Sequence, residues 1–185
     1  MYLIVGLGNP EQDYSGTRHN MGFDTINKIA KMYNIEISKK KFEGLYGSGI
    51  IEGQNVILLK PQTYMNLSGE SVKRFVDFYK IDLNNLIIIY DDIDIDKGIV
   101  KLRKQGGAGT HNGMKSVVQC IENEKFSRVR VGIGMPEYKG DLINYVIGYV
   151  PEEEKKVLNH GCEIAAEAVI EILKNGIDIS MNKMN

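Results

Sequence analysis

The stretch "YLIVGLGNPEQDYSGTRHN", residues 2–20, sets a pattern that the rest of the chain repeats. It begins as a short apolar run of strand type and turns at glycine. It then leads into Phe23, Ile26, Ala30 and Tyr33, spaced for one face of a helix. Further strand-like runs cover 46–51, 56–59, 86–90, 99–103 and 129–133. Helical stripes recur in Val72, Phe75, Val76 and Tyr79, and in Met114, Val117, Val118 and Ile121. The longest helix is opened by Pro151, carries Glu152, Glu153 and Glu154 in its first turn, and is closed by Lys174 and Gly176. This alternation predicts an α/β fold: a mixed, mostly parallel sheet flanked by helices on both faces. The 185 residues predict one domain over 1–185, with a loose C-terminal tail from about 177.

Hydrophobic content of 43% and charged content of 25% are ordinary for a globular protein. No apolar run approaches the roughly 20 residues of a membrane span, and no basic region precedes the first apolar run as a signal peptide would require. Cys120 and Cys162 lie far apart in helix-like segments and form no CxxC pair, which predicts a reducing, cytoplasmic setting. The net charge of −1 is unlike that of a broadly basic nucleic-acid binder. Its distribution is uneven, because residues 101–130 hold seven Lys or Arg against Glu122 and Glu124 alone. That segment reads either as a local anion site or as cations decorating a strand edge and a helix face.

In a parallel sheet, sites form beyond the carboxyl ends of strands, and polar clusters stand there in this chain. "GLGNPE" lacks the third glycine of a dinucleotide loop and carries Pro10 instead; it suits a turn presenting Asn9, or a plain Asn-Pro turn. One of only three histidines, His19, follows between Arg18 and Asn20. The bland alternative is a solvated His19 and an Asn20 that caps the next helix. In "KPQTYMNLSG", Ser68 is the natural helix cap, which leaves Asn66 free to point elsewhere. In "IIIYDDIDIDKG", Asp91 and Asp92 face opposite ways if the strand continues, so at most one of them enters a site, and Asp92, Asp94 and Asp96 suit a solvated strand face. A calcium loop fails there, since the glycine falls one position late and Arg103 stands where a bidentate Glu belongs. "KLRKQGGAGTHNG" is a glycine-rich loop behind three cations and before a helix. It suits a phosphate or, alternatively, a flexible lid with Asn112 as cap; no Walker Lys-Ser/Thr pair ends it.

Strand-end geometry would gather Asn9, His19, Asn66, Asp91 and Asn112 at one sheet edge. A carboxylate fixes a neighbouring imidazole as a base, and amides suit a carbonyl, a water or a peptide backbone. No serine or cysteine nucleophile stands beside His19, so water is the economical nucleophile. No HExxH or CxxC is present, and His111 and His160 do not sit at ligand spacing to His19, so no metal and no cofactor is predicted.

The chain resembles the bacterial-type peptidyl-tRNA hydrolases from Tyr2 to about Leu173. The resemblance is carried by "VGLGNPEQDYSGTRHNMG", "KPQTYMNLSGES", "YDDIDIDKG", "GGAGTHNGMKS" and "RVRVGIG", in that order. It implies cleavage of the ester joining a peptide to the 3′ end of tRNA, by a metal-free monomer whose partner is peptidyl-tRNA. By position, His19 matches the catalytic base and Asp91 the carboxylate that orients it. Asn9, Asn66 and Asn112 match the asparagines that hold substrate and water. Tyr14 and Met65 match residues lining the place of the 3′ end and peptide, and Arg103 and Arg130 match a basic clamp for tRNA phosphate. Three positions depart from the family pattern: Glu11 and Thr110 replace glycines, and Tyr64 replaces a phenylalanine. Two rival classes are a non-catalytic RNA-binding relative and a peptidase or phosphorylase on a similar layout. The intact His19, Asp91 and asparagine set argues against the first, and the basic 101–130 segment against a peptidase.

Overall fold

The computed structural model describes residues 1–185, with side chains at every position but residue 139. Seven strands form one sheet in the order β2-β3-β4-β1-β5-β7-β6. They are β1 (Tyr2–Gly6), β2 (Lys39–Lys41), β3 (Gly44–Ile51), β4 (Gln54–Pro61), β5 (Leu86–Asp92), β6 (Val100–Arg103) and β7 (Ser127–Gly132). β4, β1, β5 and β7 pair in parallel, while β3 and β6 run the other way. The parallel centre brings the carboxyl ends of β1, β4 and β5 to one edge, as the strand–helix alternation predicts.

β1 shows why this sequence makes the middle strand. Its residues alternate between two cores: Leu3 and Val5 enter one, Ile4 the other, and all three are fully buried. The first core packs under α2 (Ser68–Tyr79) and α3 (Asn112–Ile121) through Val72, Phe75, Met114 and Val117. The second packs under α1 (Met21–Met32) and the 24-residue α5 (Glu152–Asn175) through Ile26, Ile29, Ala165 and Val169. Helices therefore cover both faces.

Two short helices were not foreseen. α4 (Leu142–Ile147) has only six residues and none of them is fully buried, so its apolar side chains are too few for periodicity to mark a helix. α6 (Ile177–Met184) occupies the segment expected to be a loose tail. It is tied to the sheet at its far end, where the Asn185 side chain accepts from the Leu102 N–H (2.7 Å) and donates to the Leu102 carbonyl (2.9 Å). No helix among the described residues is long and apolar enough to cross a membrane.

The start of α1 lies almost on the backbone of the strand ends. A Cβ on Gly22 would come within 2.4 Å of the Leu7 nitrogen and 2.5 Å of the Ile89 carbonyl oxygen. Only glycine allows that approach, and it sets the height at which residues 18–20 stand over the sheet. Gly22→Ala should lower stability by about 3 kcal/mol, the upper range for overpacking against atoms that cannot yield. The urea midpoint measures this, and an unchanged midpoint would show that the helix can slide away.

Candidate active site

Asp91, the next-to-last residue of β5, is buried with 2% exposure, while Asp92 is half-buried and lines the same cavity, so both acids reach the site. One carboxylate oxygen of Asp91 lies 2.8 Å from His19 Nδ1, and the other lies 2.9 Å from His111 Nε2. His19 sits in the 3₁₀ turn Arg18–Asn20 that leads into α1. His111 is the N-cap of α3, where its Nδ1 accepts the Met114 N–H at 3.2 Å. The hydrogen-bond network therefore assigns both rings. An Nδ1 that accepts leaves the His111 proton on Nε2, facing Asp91. A carboxylate that only accepts leaves the His19 proton on Nδ1, and Nε2 bare. The two rings lie 4.9 Å apart, centroid to centroid.

Burial pulls the His19 imidazole toward its neutral form, but the charge and hydrogen bond of Asp91 outweigh it, so His19 titrates above its ordinary 6.5. For Asp91, burial favours the protonated acid; the two imidazoles outweigh that and hold the carboxyl well below the usual carboxylate range. His111 had been set apart from His19 on spacing alone. That separation fails because the glycine-rich loop folds back over the end of β5. The three side chains bring possible metal-ligand atoms within 4.8 Å of one another. Those atoms are engaged in hydrogen bonds among themselves.

Asn9 is held from three directions. Its N–H donates to Asn20 Oδ1 (2.8 Å), its carbonyl accepts from Asn20 Nδ2 (3.0 Å), and its Oδ1 accepts the Met65 N–H (2.8 Å). The Asn9 Nδ2 is left as a donor without a partner among the described residues. Asn20 is thus a clamp on Asn9 and caps nothing, since α1 starts with no side-chain cap. Ser68 does not cap α2 either; its hydroxyl donates back to the Met65 carbonyl (2.7 Å). Met65 is buried, and its sulfur lies where a Cβ on Gly113 would sit, which fixes the start of α3. Asn66 and Asn112 are exposed, and Asn112 is the first residue of α3 rather than its cap.

Tyr64 has φ 61° and ψ 157°, a conformation that favours glycine and costs on the order of 1–3 kcal/mol in other residues. It sends the phenol across to Glu11, whose carboxylate accepts the Tyr64 hydroxyl. Two departures from the family pattern thus contact each other, and Tyr14 lies beside them on the same rim.

A cavity of 240 Å³ opens between β5, the glycine-rich loop and α4. His19, Asp91, Asn112, Arg103 and Arg130 line it, together with Leu142, Ile143 and Val146 of α4. Asn9, Tyr14, Met65 and Asn66 do not line it. In register, Arg103 faces Arg128 and Lys101 faces Arg130, so one face of the β6–β7 pair carries four cations. Arg130 lies 3.5 Å from Asp92. Arg128 is fully buried and donates to the carbonyls of Gly107 (2.9 Å) and Glu124 (2.8 Å), pinning the glycine-rich loop. The alternation in "RVRV" was the sequence signal for this cationic face.

A family model described as peptidyl-tRNA hydrolase matches residues 3–185. The chain belongs to the peptidyl-tRNA hydrolase family. The peptidyl-tRNA hydrolase of Caldanaerobacter subterraneus subsp. tengcongensis is 51% identical over the full length of both chains. That of Clostridium beijerinckii is 50% identical over all of this chain and 96% of the relative. The crystal structure of peptidyl-tRNA hydrolase from Acinetobacter baumannii superposes with a TM-score of 0.94 at 39% identity, covering all of this chain and 94% of that one. The family expected from the motifs is therefore the right one, and the fold agrees.

Proposed function

We propose that this chain hydrolyses the ester between the peptide and the tRNA 3′ oxygen in peptidyl-tRNA, with His19 as the base that activates water. The observation that carries the roles is the bare Nε2 of His19 on the cavity wall, its ring held by a buried, ionised Asp91. The water oxygen attacks the ester carbonyl carbon as its proton passes to His19 Nε2. We assign the free Asn9 Nδ2, on a side chain fixed by Asn20 and the Met65 N–H, as the donor to the carbonyl oxygen as it becomes an oxyanion. Collapse breaks the bond to the tRNA 3′ oxygen, which takes the proton back from His19. The products are a free 3′ hydroxyl and a peptide carboxylic acid, which loses its remaining proton to solvent, so atoms and protons balance and no cofactor enters. Asn66 and Asn112, exposed on either side, hold the substrate and the water. Tyr14 and Met65 line the path of the 3′ end and peptide. In this reading the enzyme is a monomer of the cytoplasm that works without a metal; His19 Nδ1, His111 Nε2 and the two Asp91 oxygens are bonded to one another.

His19→Ala should cut turnover of N-acetyl-aminoacyl-tRNA by about 10²–10⁴-fold, the usual contribution of a positioned base. The base must be neutral to work, so wild-type kcat/KM should climb with pH along a limb centred above 6.5 and unchanged by chelation. Asp91→Asn removes the charge that favours the imidazolium, so that limb should move down as turnover falls. A non-catalytic RNA binder would show no turnover at all, and near-normal turnover in His19→Ala would remove the assignment.

Arg103 and Arg130 close one end of the cavity on an otherwise acidic body, and we assign them the tRNA phosphate. With two or three phosphates engaged, the log–log salt dependence of binding should have a slope of roughly −1.5 to −3. Arg103→Ala and Arg130→Ala should each raise KM for the tRNA ester and flatten that slope. Both should spare a short ester that lacks distal phosphates. Equal effects on the two substrates would place these arginines in the chemistry or the fold.

A further inference from the structure

Arg18 has no part in the chemistry above, yet its side chain makes three hydrogen bonds. It stands directly before His19 and is 6% exposed. Its guanidinium grips Glu154 with two parallel bonds, Nε to Oε1 at 2.9 Å and Nη2 to Oε2 at 2.8 Å. The remaining Nη1 donates to the Tyr145 carbonyl at 2.9 Å, and the plane lies 3.9 Å from the centre of the Tyr145 ring. Lys97 approaches the same Glu154 carboxylate at 3.4 Å. Burial would raise the Glu154 carboxyl, but the bonds and charge of Arg18, with Lys97, hold it below its ordinary range. One side chain thus joins the His19 turn, helix α4 and the first turn of α5.

α4 needs such an anchor. Six residues are too few for a helix to stand by itself, and none of them is buried. Ile143 is 72% exposed. What α4 gives is the apolar wall of the cavity, through Leu142, Ile143 and Val146, facing His19. Beside the partial packing of Tyr145 and Val146 on the core, its tethers are the Tyr145 carbonyl on Arg18, the Tyr145 ring on the guanidinium, and the Tyr145 hydroxyl donating to the Ile133 carbonyl (2.5 Å).

We infer that Arg18 is a positioning residue: it holds α4 over the cavity at a set distance from His19, so that the apolar wall is in place when the ester of peptidyl-tRNA arrives. This rests on the ester-hydrolase reading for its kinetic consequence but not for its structural one. A lysine at this position keeps the charge and one bond to Glu154. It loses the fork, the carbonyl contact and the stacking plane together.

The test uses Arg18→Lys and Tyr145→Ala, with Val146→Ala as the wall variant. Amide hydrogen exchange over residues 142–147 should speed up about tenfold or more in Arg18→Lys and Tyr145→Ala, while exchange in β1 and β5 stays unchanged. With N-acetyl-aminoacyl-tRNA, both should raise KM about tenfold, the scale of losing one charge-assisted buried contact, with a smaller change in kcat and the same pH limb. Arg18→Lys combined with Val146→Ala should cost less than the sum of the two, because both act through one wall. If Arg18→Lys does not fold, Tyr145→Ala decides, since Tyr145 lies on the outer helix. Unchanged exchange over 142–147 would overturn the inference whatever the kinetics, as would full additivity with Val146→Ala. Faster exchange over 142–147 in the variants, with a wild type that shows no turnover, would support the anchor and count against the reaction alone.

Discussion

The structure depends on one buried negative charge. Asp91 is taken out of water at the end of the central sheet, where an unpaired carboxylate would be strongly unfavourable. Two imidazole N–H groups offset that cost, one per oxygen. Each imidazole is delivered by a different segment, His19 by the turn before α1 and His111 by the cap of α3. The carboxylate therefore does more than hold one ring. It fixes which nitrogen of each ring carries the proton, and it ties the β1 loop to the glycine-rich loop across the end of β5.

The remaining loops are held by other means. Gly22 lets α1 approach the strand ends, which sets the level of His19. Asn20 and the Met65 N–H lock Asn9, so the β1 and β4 loops move as one piece. Tyr64 accepts an unfavourable backbone conformation beside that lock. Arg128 and Arg18 are buried cations that use backbone carbonyls to hold a loop and a short helix, respectively. Lys101, Arg103 and Arg130 share one face of the β6–β7 pair, so a chain of net charge −1 still carries a cationic face beside the cavity.

Much of this was legible in the sequence, and what was not has physical causes. β1 and β5 carry unbroken apolar runs, and α1, α2, α3 and α5 carry helical stripes, so their existence and order follow from periodicity. β2 is "KKK", an edge strand with no apolar face to read. α4 is only six residues long, and α6, which packs Ile177, Met181 and Met184 on the core, is pinned at its end by an asparagine pairing with a strand residue 83 positions away. The site divides in the same way. His19, Asp91 and the asparagines stand at strand ends, where the topology rule looks for them. His111 reaches Asp91 only because a loop folds back, which no spacing rule records. Asn20 and Ser68 each occupy a helix start and read as caps, but their side chains bond to the neighbouring loop instead.

The central claim is that an ionised Asp91 holds both imidazoles in opposite tautomers. Nitrogen-15 NMR of the imidazoles, followed through a pH titration, tests it most directly. The account predicts His19 protonated at Nδ1 with a bare Nε2 at high pH, gaining its second proton at a pH above 6.5, and His111 protonated at Nε2. A His19 that carries its proton on Nε2 at high pH, or one that titrates below 6.5, would contradict it.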